Sequence, residues 1–199
     1  MSSTSQSLIE TRCLWLTPLQ LDRIREAVYA GDAEAWQSPA ALSRHLQLDG
    51  AHRRLTVVLW AMFGIGTGPR LPCIDWADLS PLFDACADDE VVAWCALDVD
   101  AFATGLTATA EVTRALRALD SSRVTHCVFF HLPGERPFRW DALYDAVDAL
   151  GAALPKSARC AWTSVTVVDE SRLTGCDESI AGLFLRFRAV GTGITGDIL

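Results

Sequence analysis

Hydrophobic side chains recur at helical spacing in the first part of the chain. The sequence predicts one helix that begins at Thr17-Pro18 and a second that begins at Ser38-Pro39. A hydroxyl residue before proline is typical of a helix start, because the hydroxyl caps a backbone N–H group and proline suits the first helical turn. The apolar positions that follow at helical spacing are Leu21, Ile24, Val28, Leu42 and Leu46. We therefore expect a short helical N-terminal segment over residues 1–50.

Residues 51–63 form an apolar run whose secondary structure the pattern leaves open. Val57 and Val58 suit a strand, whereas the length of the run suits a buried helix. The glycines that follow end the run in either case. Residues 51–70 are therefore predicted to be a connecting helix and a glycine-rich turn.

Helical and strand patterns alternate over the rest of the chain. Helices are predicted over 75–87, 107–119 and 140–154, and strands over 90–99, 124–132, 159–168 and 182–190. The predicted inward face of the last helix consists of Trp140, Leu143, Tyr144, Val147, Leu150 and Leu154. The last strand alternates apolar residues with Arg186 and Arg188, which predicts outward-facing arginines and a sheet with one buried face.

The order of these elements defines the expected fold class. Residues 71–199 are predicted to form an α/β unit, an α+β sandwich in βαβαββ order. We expect a mixed sheet of about four strands with helices on one face.

Composition and charge narrow the class of partner. Half of the 199 residues are hydrophobic, and the net charge is −8. An acidic surface repels phosphate backbones, so nucleic-acid binding would need a local basic patch, and only small ones such as Arg186 with Arg188 are present. No apolar run reaches the ~18 residues of a membrane span, and residues 1–11 lack the pattern of a secretory signal. We expect a cytoplasmic protein that binds neither nucleic acid nor membrane.

The seven cysteines are scattered, and no two have C-x-x-C spacing. Cys95, Cys127 and Cys160 fall within predicted strands, where a free thiol behaves as a small hydrophobe. This pattern favours reduced structural thiols, with a zinc site or a disulfide framework as the alternatives.

Two carboxylates flank an aromatic residue just before the helix predicted over 75–87. Asp75, Trp76 and Asp78 follow a proline-bounded segment. Asp75 suits a helix cap and Asp78 suits the first helical turn, where the helix dipole favours a negative charge. The alternative is an interaction loop, since tryptophan is a common anchor of protein interfaces.

This arrangement resembles the C-terminal domain of the FtsZ family of tubulin homologues. The family loop reads roughly Asn-x-Asp-Phe-Ala-Asp, and this chain has Cys-Ile-Asp-Trp-Ala-Asp at 73–78. A closing strand that ends near Ala-Thr-Gly is similar to Val-Gly-Thr-Gly-Ile at 190–194. The resemblance implies a module without the family's GTPase domain that binds a protein partner, either a polymerising GTPase of cell division or another copy of itself. It implies that the acidic loop meets this partner.

Gly64, Gly66, Thr67 and Gly68 are the candidates for a phosphate-binding loop. Glycines allow backbone N–H groups to surround a phosphate. However, prolines at 69 and 72 interrupt the helix that should follow such a loop, so a plain turn is favoured.

No other set of residues predicts chemistry. His126 and His131 lie five positions apart on one predicted strand, so their side chains point to opposite faces. No Ser, His and Asp set has a recognisable motif around it. The sequence therefore predicts no catalytic residue, no metal site and no cofactor, and a protein-interaction module is the first function hypothesis. A small-molecule-binding protein or enzyme on the same sandwich is the second, and a pocket with convergent polar groups would favour it.

Overall fold

The structure is a computed structural model that describes residues 13–48, 53–63, 67–71, 76–84, 90–104, 108–133, 139–167 and 179–188. Within these residues the helices are α1 (Pro18–Ala30), α2 (Pro39–Leu46), α3 (Arg53–Phe63), α4 (Trp76–Phe83), α5 (Asp100–Thr104), α6 (Ala108–Ala118) and α7 (Trp140–Ala153). The strands are β1 (Cys13–Leu16), β2 (Thr67–Leu71), β3 (Glu90–Leu97), β4 (Val124–Leu132), β5 (Arg159–Val167) and β6 (Ile180–Arg188).

Both predicted helix starts are confirmed. Thr17 caps α1 with a capping box in which its hydroxyl accepts from the Gln20 N–H and the Gln20 side chain accepts from the Thr17 N–H. Ser38 caps α2 in the same way through its hydroxyl. Residues 53–63 form a helix, α3, and the side chains from Leu55 to Met62 are all buried. A helix that is buried on every side carries no polar stripe, and for this reason the pattern could not separate it from a strand.

The mixed α/β class is confirmed, but the described sheet is larger than expected. It has six strands in the order β1-β3-β6-β4-β5-β2. Only β4 and β5 run parallel, and every other neighbouring pair is antiparallel. From β3 to β6 the elements follow the predicted βαβαββ order, with α5 and α6 in the first crossover. The two additional strands, β1 and β2, lie at the sheet's edges.

The prediction of helices on one face is wrong, because helices cover both faces of the sheet. The helices α1 to α4 pack on one face with Trp94, Phe130 and Phe184. On the other face, α5, α6 and α7 pack with Phe129 and Leu183. Central strands of such a three-layer sandwich are buried on both sides, so the alternation predicted for β6 does not mark a solvent face.

Arg186 is the clearest exception to the predicted alternation. It is buried, with 7% of its surface exposed. Its Nε donates to Glu90 Oε2 at 3.1 Å, and its Nη1 donates to the Pro81 carbonyl oxygen at 2.6 Å. A buried guanidinium is tolerated when its charge is paired and its N–H groups are hydrogen-bonded. Arg188 is exposed, as predicted.

The inward face of α7 also differs from the prediction. Leu143 and Leu150 are buried, but Trp140 and Tyr144 are 45% and 52% exposed. The small residues Ala142 and Ala146 are buried in their place. Tyr144 instead packs edge-on against Trp162 of β5, at a centroid distance of 5.7 Å.

One pair of cysteines departs from the expected reduced state. Cys13 of β1 and Cys95 of β3 form a disulfide between directly paired positions of neighbouring strands. Cys127 and Cys160 are free thiols. The bridge joins two distant parts of the sequence, so spacing alone could not indicate it.

Candidate functional site

A pocket opens at one end of the sheet, where the parallel strands β4 and β5 begin and the antiparallel strand β6 ends. The register of β4 against β6 shifts between Val124 and His126, so the ladder is irregular at this end. Such irregularities often lie beside functional sites. The pocket has a volume of about 590 Å³. Its lining residues are Ser122, Arg123, Val124, Thr125, His126, Ser157, Arg159 and Arg188.

The lining carries positive charge on a chain whose net charge is negative. Among the described residues, the lining contains three arginines and no carboxylate. Arg123 lies 3.4 Å from an oxygen of Asp120, a side chain that is 63% exposed. Within the described part of the chain, Arg159 and Arg188 form no ion pair. Their guanidinium groups can therefore turn to an anion without breaking an internal contact.

His126 lies between two arginines in the register of the sheet. It is the Cα partner of Arg159 on β5 and of Arg186 on β6. Partial burial lowers the pKa of His126 below its usual value, and the positive charges of Arg186 and Arg159 lower it further. The imidazole is therefore neutral at neutral pH, and its Nδ1 lies 3.2 Å from the Thr125 hydroxyl oxygen. Since the Thr125 hydroxyl donates to the Arg186 carbonyl oxygen, Nδ1 carries the proton of the neutral ring, and Nε2 can donate to an anion's oxygen atom only when the imidazole is protonated.

Buried contacts behind the pocket hold this end of the sheet in place. The Thr125 hydroxyl donates to the Arg186 carbonyl oxygen at 3.1 Å, which links β4 to β6 beside the irregular register. The Arg186 side chain in turn binds Glu90 of β3 and the last turn of α4. The strand ends that carry His126 and Arg188 are thus tied to their neighbours.

The described residues of the predicted acidic loop belong to helix α4. Asp75 lies outside the described residues. Trp76 is the first residue of α4, and Asp78 is exposed in its first turn. Asp78 is not among the described residues that line the pocket.

The described residues of the possible phosphate loop lie far from the arginines that line the pocket. Gly64 and Gly66 lie outside the described residues. Thr67 and Gly68 belong to β2, where Thr67 pairs with Val167. Val167 and Arg159 are the two ends of β5. At ~3.3 Å per residue, these ends are roughly 26 Å apart.

Arg186 and Arg188 form a small basic patch in the sequence, but the sequence patterns did not predict the pocket. One signal was available. Two parallel strands start at the same edge of a sheet, so basic residues at the predicted starts near 124 and 159 should meet. Arg123 and Arg159 stand at those two starts. The contribution of Arg188 depended on β6 lying beside β4, which the sequence did not indicate.

His131 is the second histidine of β4, and it faces away from the pocket. Its Nδ1 lies 3.0 Å from the hydroxyl oxygen of Ser164, and both side chains are buried. Burial lowers the pKa of His131 to about 4. The prediction that the two histidines point to opposite faces is confirmed, because alternate positions of β4 pack in different core clusters.

Comparison with protein-family models and with curated proteins finds no match for this chain. Among the described residues, no group of three or more His, Cys, Asp or Glu side chains is placed to hold a metal ion. None of the described helices has the length and apolar character needed to cross a bilayer.

Proposed function

We propose that this protein binds a small molecule that carries a phosphate or carboxylate group, and that the arginine pocket is the binding site. The observation that carries the proposal is the convergence of Arg123, Arg159 and Arg188 on a pocket whose described lining residues include no carboxylate. Guanidinium groups bind such oxyanions through paired, charge-assisted hydrogen bonds. The hydroxyl group of Ser157 adds a further donor to the lining.

The size of the pocket supports a small ligand rather than a polymer. Small-molecule sites usually have volumes of roughly 300–1,000 Å³, and this pocket has about 590 Å³. A nucleic-acid backbone would need an extended basic surface. The net charge of −8 opposes such binding away from the pocket.

Calorimetric titration with pyrophosphate and, separately, with citrate tests the proposal and distinguishes the two anion chemistries. We expect one of them to bind the wild-type chain. Arg159→Gln and Arg188→Gln should each weaken binding about tenfold or more, since a hydrogen bond to a charged group contributes ~1.5–3 kcal/mol. Arg117→Gln, an exposed position on α6, is the matched control and should bind normally. Failure of both anions to bind, or an equal loss in the control, would overturn the proposal.

His126 provides a second readout of the same site. A bound anion favours the protonated imidazole, so the pKa of His126 should rise on ligand addition. The C2–H resonance of His126, followed by NMR through a pH titration with and without pyrophosphate or citrate, measures this shift. A pKa that stays constant while calorimetry reports binding would place the anion elsewhere on the protein.

A second candidate function is the assembly module that resembles the FtsZ C-terminal domain. The βαβαββ unit of β3 to β6 and the exposed position of Asp78 at the start of α4 support it. Its partner would be a polymerising GTPase of cell division or a second copy of this chain. We expect the Asp75→Asn, Asp78→Asn double variant and Trp76→Ala to reduce recovery of that partner in a pull-down, with a nearly unchanged melting temperature. Unaltered recovery with both variants would place the interface elsewhere.

The cellular compartment of this protein is also a matter of proposal. The sequence predicts a cytoplasmic protein, and the Cys13–Cys95 disulfide weighs against that prediction, because disulfides are uncommon in the cytosol. Alkylation of thiols in intact cells, followed by peptide mass spectrometry, reports whether Cys13 is free. Free Cys13 and Cys95 would support a reducing compartment, and a blocked pair would support an oxidising one.

A further inference from the structure

Two free thiols lie side by side on the sheet face opposite to His126. Cys127 of β4 and Cys160 of β5 are direct partners in the parallel register. Neighbouring strands lie ~4.8 Å apart, so paired side chains on one face are in reach of each other. This pairing brings the Cys127 thiol within reach of the Cys160 sulfur, to which it can donate a hydrogen bond. The pair is therefore a contact between two reactive groups rather than two isolated cysteines.

The two thiols have opposite surroundings. Cys127 is buried in the core beneath α7, whereas Cys160 is exposed. The hydrogen bond from the Cys127 thiol lowers the pKa of Cys160, because it stabilises the thiolate. Burial raises the pKa of Cys127, so this residue remains protonated and continues to donate. An accessible thiolate is the form of cysteine that reacts with oxidants.

We propose that Cys160 is a site of oxidation by peroxides and that Cys127 resolves the oxidised form into a disulfide. In the first step the Cys160 thiolate attacks one oxygen of the peroxide. The O–O bond breaks, a sulfenic acid forms on Cys160, and hydroxide leaves. In the second step the Cys127 sulfur attacks the Cys160 sulfur, and water leaves with the Cys127 proton. The two cysteines lose two electrons in total, and hydrogen peroxide is reduced to water and hydroxide.

The geometry permits the second step without movement of the strands. Disulfides need Cα atoms roughly 4.4–6.8 Å apart, and directly paired residues of adjacent strands fall within this range. Attack on peroxide needs an accessible cysteine, and Cys160 is an exposed residue. The inference does not depend on a ligand in the arginine pocket, because neither Cys127 nor Cys160 lines that pocket.

Treatment of the whole purified chain with one equivalent of hydrogen peroxide, followed by non-reducing peptide mapping, tests the inference. We expect a cross-linked peptide pair that contains Cys127 and Cys160. In Cys127→Ala the sulfenic acid of Cys160 has no resolving thiol, so dimedone should trap it in larger amounts than in the wild type. In Cys160→Ser both the cross-link and the dimedone adduct at this site should disappear.

A third measurement separates thiol chemistry from packing. The rate of Cys160 alkylation by iodoacetamide follows its thiolate, so its pH profile in the wild type should be displaced to lower pH than that of a free thiol. Loss of the Cys127 donor in Cys127→Ala should shift the profile to higher pH. If this variant does not fold, the wild-type profile and cross-link decide the question. No cross-link, a dimedone adduct on Cys127 instead of Cys160, or an undisplaced wild-type profile would each overturn the proposal.

Discussion

Gly182 occupies a position on β6 where no side chain fits. A Cβ atom built at this residue would collide with the ring of Trp94 and lie 2.8 Å from the Cys95 carbonyl oxygen. Gly182→Ala should therefore destabilise the protein by about 1–3 kcal/mol or more, because a packed core yields little to added volume. Gly151→Ala is the control, since a Cβ at this position of α7 meets nothing within 4 Å. It should stabilise the helix by ~0.5–1 kcal/mol, and urea unfolding of both variants measures the difference. Equal stabilities would contradict the close approach of Trp94.

His131 makes stability depend on pH. The pKa of His131 is about 4 in the folded chain, whereas the ordinary value for histidine is 6.5. The unfolded chain therefore binds the proton first as the pH falls. The folded state should thus lose on the order of 3 kcal/mol between pH 6.5 and pH 4. His131→Asn should flatten this slope in urea-unfolding experiments across that range. His45→Asn, a half-exposed control on α2, should retain the slope. An unchanged slope in His131→Asn would assign the acid sensitivity to other groups.

A buried guanidinium hydrogen-bonds helix α4 to the sheet, in addition to the apolar packing of α4 against Phe184. Arg186 donates to the Pro81 and Asp84 carbonyl oxygens at the end of α4 and pairs with Glu90 of β3. Arg186→Met would leave a carboxylate and these carbonyl groups without their donor. We expect a loss of about 3 kcal/mol or more, as for other broken buried ion pairs.

The matched control for this prediction lies two positions further along the same strand. Arg188 is exposed and has no ion pair within the described residues, so Arg188→Met should change stability by less than ~0.5 kcal/mol. Chemical unfolding of the two variants gives the comparison. Similar losses in both would mean that the charge of β6, and not the buried contact, stabilises this region.

The elements that the sequence predicted well are those with local signals. The starts of α1 and α2 depend on a hydroxyl cap and a proline, and β4 depends on the apolar residues 127–130 and on the Pro-Gly pair at 133–134 that ends it, so each could be predicted from a few neighbouring residues. The strands β1 and β2 have four and five residues, and they exist as strands through pairing with β3 and β5. Such pairing joins distant segments, and no local pattern encodes it.

The residues of the candidate site also divide into features that local patterns predict and features that depend on pairing between distant segments. Arg159 and Arg188 stand at strand ends that the sequence placed correctly to within two residues. Their convergence requires the order of β5, β4 and β6 in the sheet, which no periodicity reveals. The burial of Arg186 likewise depends on Glu90, which lies 96 positions away in the sequence. The residues were predictable as strand ends, but the pocket was not.

The Cys13–Cys95 disulfide closes residues 13–95 into a covalent ring. Cys13 and Cys95 are separated by 82 positions, and the segment between them contains α1 to α4 and β2. When the two ends of the chain are pulled apart, the disulfide should prevent this segment from extending. The unfolded contour of the oxidised chain should be about 280 Å shorter than that of the reduced chain, at ~3.4 Å per residue. Optical-tweezers measurements with and without reductant test this, with Cys13→Ser expected to give the long contour and Cys160→Ser the short one. A contour that is insensitive to reductant would rule out the bridge.

The ring also sets the path that a mechanical load follows through the protein. Tension entering at Cys13 crosses the sulfur bridge to Cys95 and continues along the chain through β4, β5 and β6. The helices α1 to α4 lie within the ring and outside this path, so their backbone carries no direct load. The strand ends that carry Arg159 and Arg188 lie on the path. Stretching the molecule would therefore pull open the arginine pocket while leaving the hydrophobic layer of α1 to α4 under no direct strain.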